Sequence, residues 1–273
     1  MNKFFLILAM VAMQLMAVAQ DEKIEELTIP LSKPGEAGKL KVDLIYGSIK
    51  VTGYDGQEVL IKVSTRKNVD EAEEEEQEDE APTGFYKIEN NTFAMTVYEE
   101  NNEVRVNSEA RKQKLIFDIM VPRKFDLDVN TVNGGDIEIT NIEGEIEAGN
   151  VNGGINIQDV SGSVVANTVN GPVIATLKSV TAETPMAFVS LNGKIDVTLP
   201  KDTKLTTKIK SDWGQVYSDF KMEVKKSEPK VEKKSGKNYT KYVVDKWIYG
   251  DVNGGGPECM FKNMHGDIYI RMK

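Results

Sequence analysis

Between residues 129 and 176 the chain repeats itself, and this limits what it can fold into more than any other feature. Glycine stands at Gly135, Gly144, Gly153, Gly162 and Gly171, nine residues apart each time. Two residues after each comes a β-branched residue (Ile137, Ile146, Ile155, Val164, Val173), and two further on a second apolar one (Ile139, Ala148, Ile157, Ala166, Ala175). A third follows at Ile142, Val151, Val160 and Val169, before the register fails at Lys178. The middle of each unit alternates with period two, the pattern of a short, half-buried strand. Its polar side carries Glu138, Thr140, Glu145, Glu147, Asn156 and Gln158. A strand this short cannot bury its face alone, whereas stacked copies can.

Corner chemistry sets the larger period. The residue at the glycine step reads Asn133, Glu143, Asn152, Ser161, Asn170, Ser179, so Asn-Gly recurs on every second unit. Two units of about nine residues therefore make one coil of about eighteen. The expected fold is all-β: a two-sided β-solenoid, parallel along each sheet and right-handed by the crossover rule. Ile137, Ile155 and Val173 should lie above one another inside, and Asn133, Asn152 and Asn170 should form a side-chain ladder. The alternative is an antiparallel meander, because Asn-Gly is also a strong hairpin signal. A meander gives no reason for corner chemistry to alternate. With sheets ~10 Å apart, the Ile, Val and Ala of the repeat fill the gap, leaving only outer faces, corners and loops for function.

Residues 1–19 precede the fold. Lys3, the apolar run Phe4 to Met13 and the A-x-A site Ala17-Val18-Ala19 read as an export signal cleaved before Gln20. That run is short for a spanning helix, and no later stretch approaches ~20 apolar residues. No cysteine stands near the cleavage site, which closes the lipoprotein route. The expected location is the periplasm or the outer surface of a bacterial cell. A net charge of −9 argues against nucleic acid and anionic membrane as partners. Cys259 is the sole cysteine, so no intrachain disulfide staples the fold.

Residues 20–125 read as N-terminal β rungs and a cap, with strands at Lys39 to Val51, Val59 to Val63, Phe93 to Tyr98 and Leu115 to Val121. Gly47 to Val51 is itself a repeat unit, and Pro122 hands the chain to the regular core, 126–200. The run 70–80, almost wholly Asp and Glu, reads as a solvated loop, because like charges repel. After a short insertion Asn192 to Val197 restores the unit; residues 201–273 carry further rungs, with Trp213 to Val216 a degenerate copy and Val252 to Gly256 with His265 to Ile270 closing the chain. The lysine-rich segment 221–241 reads as a loop.

Catalytic patterns are scarce. His265 is the sole histidine, and a Cys259–His265 pair, six residues apart on neighbouring strand and turn, reads as accident rather than nucleophile and base. Glu138 with Glu147, or Asp136 with Glu145, could serve as acid and base, but units nine residues apart lie on opposite sheets. The Gly134-Gly135-Asp136 and Gly153-Gly154 steps lack the second half of a calcium-binding turn, and no helix follows them to make a phosphate loop. No catalytic residue, cofactor or metal ligand is expected.

The ordered set of motifs resembles a known family. An opening strand at Leu40 to Val51, an Ile119 to Pro122 strand end, and units at Thr131 to Ile139, Thr168 to Ile174 and Gly254 to Ile270 are similar to the bacterial putative-adhesin β-repeat proteins. The resemblance covers nearly all of the mature chain and implies a solenoid-like fold in the cell envelope and no catalytic residues. The expected function is a non-catalytic, adhesin-like or structural envelope protein binding a protein or glycan partner. Two other readings stay open, a polysaccharide-active β-helix enzyme and a periplasmic stress or regulatory component. Outward positions read Glu138, Asn156, Ile174 on one side and Glu147, Val165, Glu183 on the other, which singles out Val165 and Ile174 as candidate surface contacts. If the export reading is right, intact-mass measurement of protein from the native host gives a chain beginning at Gln20; retention of Met1 overturns it.

Overall fold

The computed structural model describes residues 24–65, 95–108, 110, 113–225, 230–236, 239–245 and 247–273. The expected export signal and the acidic run 70–80 lie outside the described residues. All regular structure described is β-strand. No helix among the described residues is long and apolar enough to cross a membrane.

The repeat supplies four coils, each with one strand in either of two sheets. Strands β7 (Phe125–Asn133), β9 (Ile146–Asn152), β11 (Val164–Asn170) and β13 (Met186–Asn192) lie side by side in sheet B. Strands β8 (Ile137–Thr140), β10 (Ile155–Gly162), β12 (Val173–Val180) and β14 (Ile195–Leu199) do so in sheet A. Every one of these pairings is parallel, unlike those of a meander. Ile155 pairs with Ile137 on one side and Val173 on the other, and all three are at most 1% exposed. One apolar core runs the whole length, from Leu31 to Ile270.

The two corners of a coil are built differently, so the third apolar position faces inward at one and outward at the other. At one corner Asn141 and Asp159 take left-handed backbone angles, φ 60° and 54°. Each breaks the alternation, so the next residues, Ile142 and Val160, point inward at 0% exposure. At the Asn-Gly corner no such residue intervenes and the strand alternates straight through. Val151 and Val169 therefore face outward, 37% and 38% exposed. The glycine register stops at Lys178 because Leu177 meets Val160 without a left-handed residue before it.

Tightness at the Asn-Gly corner explains its composition. A Cβ built on Gly171 would lie 2.3 Å from the Gly153 carbonyl oxygen, so only glycine lets successive corners stack. The corner carbonyls turn inward and need donors. Thr131 Oγ1 donates to Gly47 O at 2.9 Å, Thr168 Oγ1 to Gly153 O at 2.8 Å, and Ser190 Oγ to Gly171 O at 2.9 Å. Asn150 Nδ2 donates to Gly135 O at 3.0 Å and Asn263 Nδ2 to Gly193 O at 2.7 Å. Outside this buried row the expected asparagine ladder is present and longer than expected. Asn170 Nδ2 donates to Asn152 Oδ1 at 2.7 Å, Asn192 Nδ2 to Asn170 Oδ1 at 2.8 Å, and His265 Nδ1 lies 3.1 Å from Asn192 Oδ1.

The stack does not follow chain order at its ends. β2 (Gly38–Tyr54) spans both sheets, pairing with β7 and β8 on one side. On its other side it pairs with β5 (Glu103–Ser108) and β6 (Leu115–Pro122), which come later in the chain. β3 (Glu58–Thr65) lies antiparallel on β6, β1 (Ile24–Pro30) on β3, and β4 (Met95–Glu100) on β5, finishing the N-terminal cap. At the other end, β15 (Leu205–Ser211) and β16 (Val216–Ser218) are held away from β13 and β14 by β21 (Glu258–His265) and β22 (Ile268–Met272), the last strands of the chain. The lysine-rich segment is not a loop throughout. It contains β17 (Met222–Lys225), antiparallel to β20 (Ile248–Val252), and a separate hairpin of β18 (Lys230–Gly236) and β19 (Tyr239–Asp245). β17 turns Met222 against the core and leaves Glu223, Val224 and Lys225 exposed.

The corner hydrogen bonds can be tested by isosteric change. Thr168→Val removes the donor to Gly153 O and should cost ~1–3 kcal/mol. Thr168→Ser keeps the donor, loses one methyl and should cost ~0.8 kcal/mol. Denaturant unfolding that ranks the valine variant above the serine variant overturns this account.

Candidate functional site

The outer faces of the two sheets differ. On sheet A, Glu138, Asn156, Ile174 and Asp196 stand in one line, followed by Tyr269. Ile174 is half-buried between the polar neighbours Asn156 and Asp196. Arg271 bonds the Asp196 carboxylate at 2.6 Å and holds its pKa below the ordinary carboxylate value. A single apolar residue in such company forms no patch.

Sheet B is different. Across its outer face Glu147 pairs with Val165, Val165 with Ala187, and Ala187 with Met260. The expected third member, Glu183, is instead in a turn at φ 69°. The spacing from Val165 to Ala187 is 22 residues rather than 18, and the four extra residues bring Ala187 into line. A second line runs Gly149, Asn167, Val189, Lys262. At the edge beside the asparagine ladder, Val151, Val169, Leu191 and Met264 are 37–40% exposed. Val165 itself is 37% exposed and belongs to this patch; Ile174 is on the other sheet, so the two sequence candidates do not form one site.

The centre of the patch is β13. It sends Met186 and Phe188 into the core and Ala187, Val189 and Leu191 outward, so both its faces are apolar. Near-continuous apolar runs belong to strands covered on both sides. Contiguous apolar surface of this kind is a mark of contact sites on soluble proteins. The signal was present in the sequence as Met-Ala-Phe-Val-Ser-Leu, but a reading tuned to the glycine period passes over it.

Two aromatic pairs mark the C-terminal coils. Trp213, 75% exposed, stacks on His265 with ring centroids 6.3 Å apart, and Tyr217 stacks on Tyr269 at 5.1 Å. Trp247 lies under the ammonium groups of Lys208 and Lys210, at 5.0 and 5.8 Å.

The carboxylate pairs considered from sequence are not brought together. Glu138 is on the outer face of sheet A and Glu147 on that of sheet B. Asp136 accepts from Gly154 N at 2.6 Å, and Asp126 accepts from Glu145 N at 2.8 Å; both carboxylates fasten one coil to the next. Cys259 points into the core while His265 ends the same strand at the asparagine ladder, so they are not neighbours. Among the described residues, no group of three or more His, Cys, Asp and Glu side chains is placed to hold a metal ion.

No family model matches the chain, and no curated protein does. Two solved structures are similar at low identity. One is a putative cell adhesion protein from Clostridium sporogenes, 13% identical, with a TM-score of 0.36, covering 92% of this chain and 100% of its own. The other is a putative adhesin from Bacteroides fragilis, 10% identical, with a TM-score of 0.35, covering 91% of this chain and 97% of its own.

The buried sulfur offers a direct check. Burial pushes the Cys259 thiol pKa far above its ordinary value, and a thiol without thiolate character is a poor nucleophile. Iodoacetamide should leave the folded protein unlabelled and label it fully in denaturant; rapid labelling of the native state contradicts the placement.

Proposed function

We propose that this is an exported, non-catalytic protein of the bacterial cell envelope, built as a two-sheet β-solenoid and acting through contacts on its outer surface. Sheet B makes those contacts. The observation that carries the reading is β13, whose outward Ala187, Val189 and Leu191 join Val165 and Val169 on one side and Met260 and Met264 on the other. Leaving such a surface open to water has a cost. Burying one Val or Leu from water is worth ~1.5–3 kcal/mol, so a covered patch of this size supplies useful binding energy. Glu147 and Lys262 stand at its margins, giving the polar rim that contact surfaces of soluble proteins have.

The adhesin-like role is supported by the same geometry. A stack of coils presents one face at constant pitch over its whole length, suited to broad, shallow contacts rather than to enclosing a small substrate.

The test is retention of purified, fluorescently labelled protein on intact cells of the producing bacterium. The Val189→Lys/Leu191→Glu double variant should keep the wild-type circular dichroism spectrum, because both side chains already point outward. It should lose at least ~10-fold in retention, since charge placed in the apolar centre of a contact disrupts it. Equal retention of variant and wild type, or no retention of either, overturns the reading.

A further inference from the structure

The order of chemistry across sheet B specifies a partner. Passing over the outer face from β9 to β11, β13 and β21, one meets Glu147, then Val165 with Val169, then Ala187 with Val189 and Leu191, and finally Lys262 between Met260 and Met264. Negative charge stands on one side and positive charge on the other, and between them lie β11, with Asn167 flanked by Val165 and Val169, and the apolar outer face of β13. Among the described residues, neither Glu147 nor Lys262 has an ion-pair partner, although both are exposed.

We infer that the occupant of this face is a second copy of the same chain, docked about a two-fold axis that runs along the strands between β11 and β13. This rests on the contact reading above and names the partner. The operation sets β11 of one copy over β13 of the other, and β9 over β21. Val165 then meets Ala187 and Val169 meets Leu191, while Asn167 meets Val189 between them. Glu147 of each copy falls one outward position along the strand, ~7 Å, from Lys262 of the other, across a sheet separation of ~10 Å that two long side chains bridge. Symmetry makes this contact twice. The other face-to-face two-fold, along the stacking direction, sets β9 over β9. It brings Glu147 towards Glu147 at one end of the face and Lys262 towards Lys262 at the other. Like charges facing each other select against it.

Size decides the strength. Four strands at ~4.8 Å by three outward positions at ~7 Å give a flat core of roughly 400 Å², about half of the ~800 Å² per partner of a standard interface. The dimer is therefore weak, in the micromolar range or above, and salt weakens it further because its charges lie at the rim.

Analytical ultracentrifugation of the full mature chain over a concentration series, at low and high salt, tests this. Wild type should show a reversible monomer–dimer equilibrium that Leu191→Glu abolishes. Glu147→Lys and Lys262→Glu each turn both rim contacts repulsive and should weaken the dimer at least ~10-fold. Mixing these two variants sets opposite charges against each other at both rim contacts, one of them the native Glu147–Lys262 pair, so the mixture should dimerise again. Thermal melting confirms that each variant is folded. A wild type that dimerises while the swaps and their mixture have no effect overturns the proposed face. A wild type that stays monomeric at every concentration, while Leu191→Glu still loses cell retention, overturns the second copy but leaves the contact reading standing. If retention is unaffected as well, both fall.

Discussion

Everything in this fold depends on how a parallel stack disposes of the carbonyl groups at its corners. A strand turning into the opposite sheet leaves backbone acceptors that neither sheet can pair, inside a space too narrow for solvent. Here a side chain two residues before the ladder position of each corner reaches inward to bond the glycine carbonyl: Thr131, Asn150, Thr168, Ser190 and Asn263 in successive coils. An unsatisfied buried acceptor costs ~1–3 kcal/mol, so an unfilled row would erode stability at every coil. The requirement also dictates glycine at the next step, because the carbonyl of the coil below occupies the place of a Cβ. Among the described residues two buried amide oxygens, Asn150 Oδ1 and Asn263 Oδ1, have no partner, and they stand in the coils where Asn rather than Thr or Ser takes this position.

This device shows why much of the architecture was legible in the sequence. Glycine spacing, β-branched alternation and the recurrent Asn-Gly each report one local demand, and together they specify strand length, coil period and corner identity. The stacking of Ile137, Ile155 and Val173 follows from them directly. What escaped was non-periodic or non-local. The left-handed Asn141 and Asp159 change which way the next residue faces, and nothing in a period-two count signals that. Strand order at the ends depends on pairings between segments far apart in the chain, which local patterns do not encode.

The candidate surface was half legible. Val165 stood out as an apolar residue among outward glutamates, and it lies in the patch. Ile174 lies on the opposite sheet, the side the spacing assigns it to, but stands alone between Asn156 and Asp196. The better indicator was β13, which breaks the alternation of apolar and polar residues altogether. A strand that keeps its inward residues and also gives up its outward polar ones has no internal reason to do so. The four-residue insertion before it hid the strand from a reading based on fixed spacing, and also displaced Glu183 from the line it was assigned to.

The position of β21 and β22 has a consequence in time. They follow every other described strand in the chain, yet they fill the slot between β13 and β15 and between β14 and β16. Until they are available, β15 has β20 beside it but cannot reach β13, β16 lacks its described partner, and β13 and β14 end in an open edge. Assembly therefore cannot proceed as a zipper that closes behind the emerging polypeptide. The finished stack waits for β21 and β22, and a chain without them loses not a tip but the joint holding another coil in place.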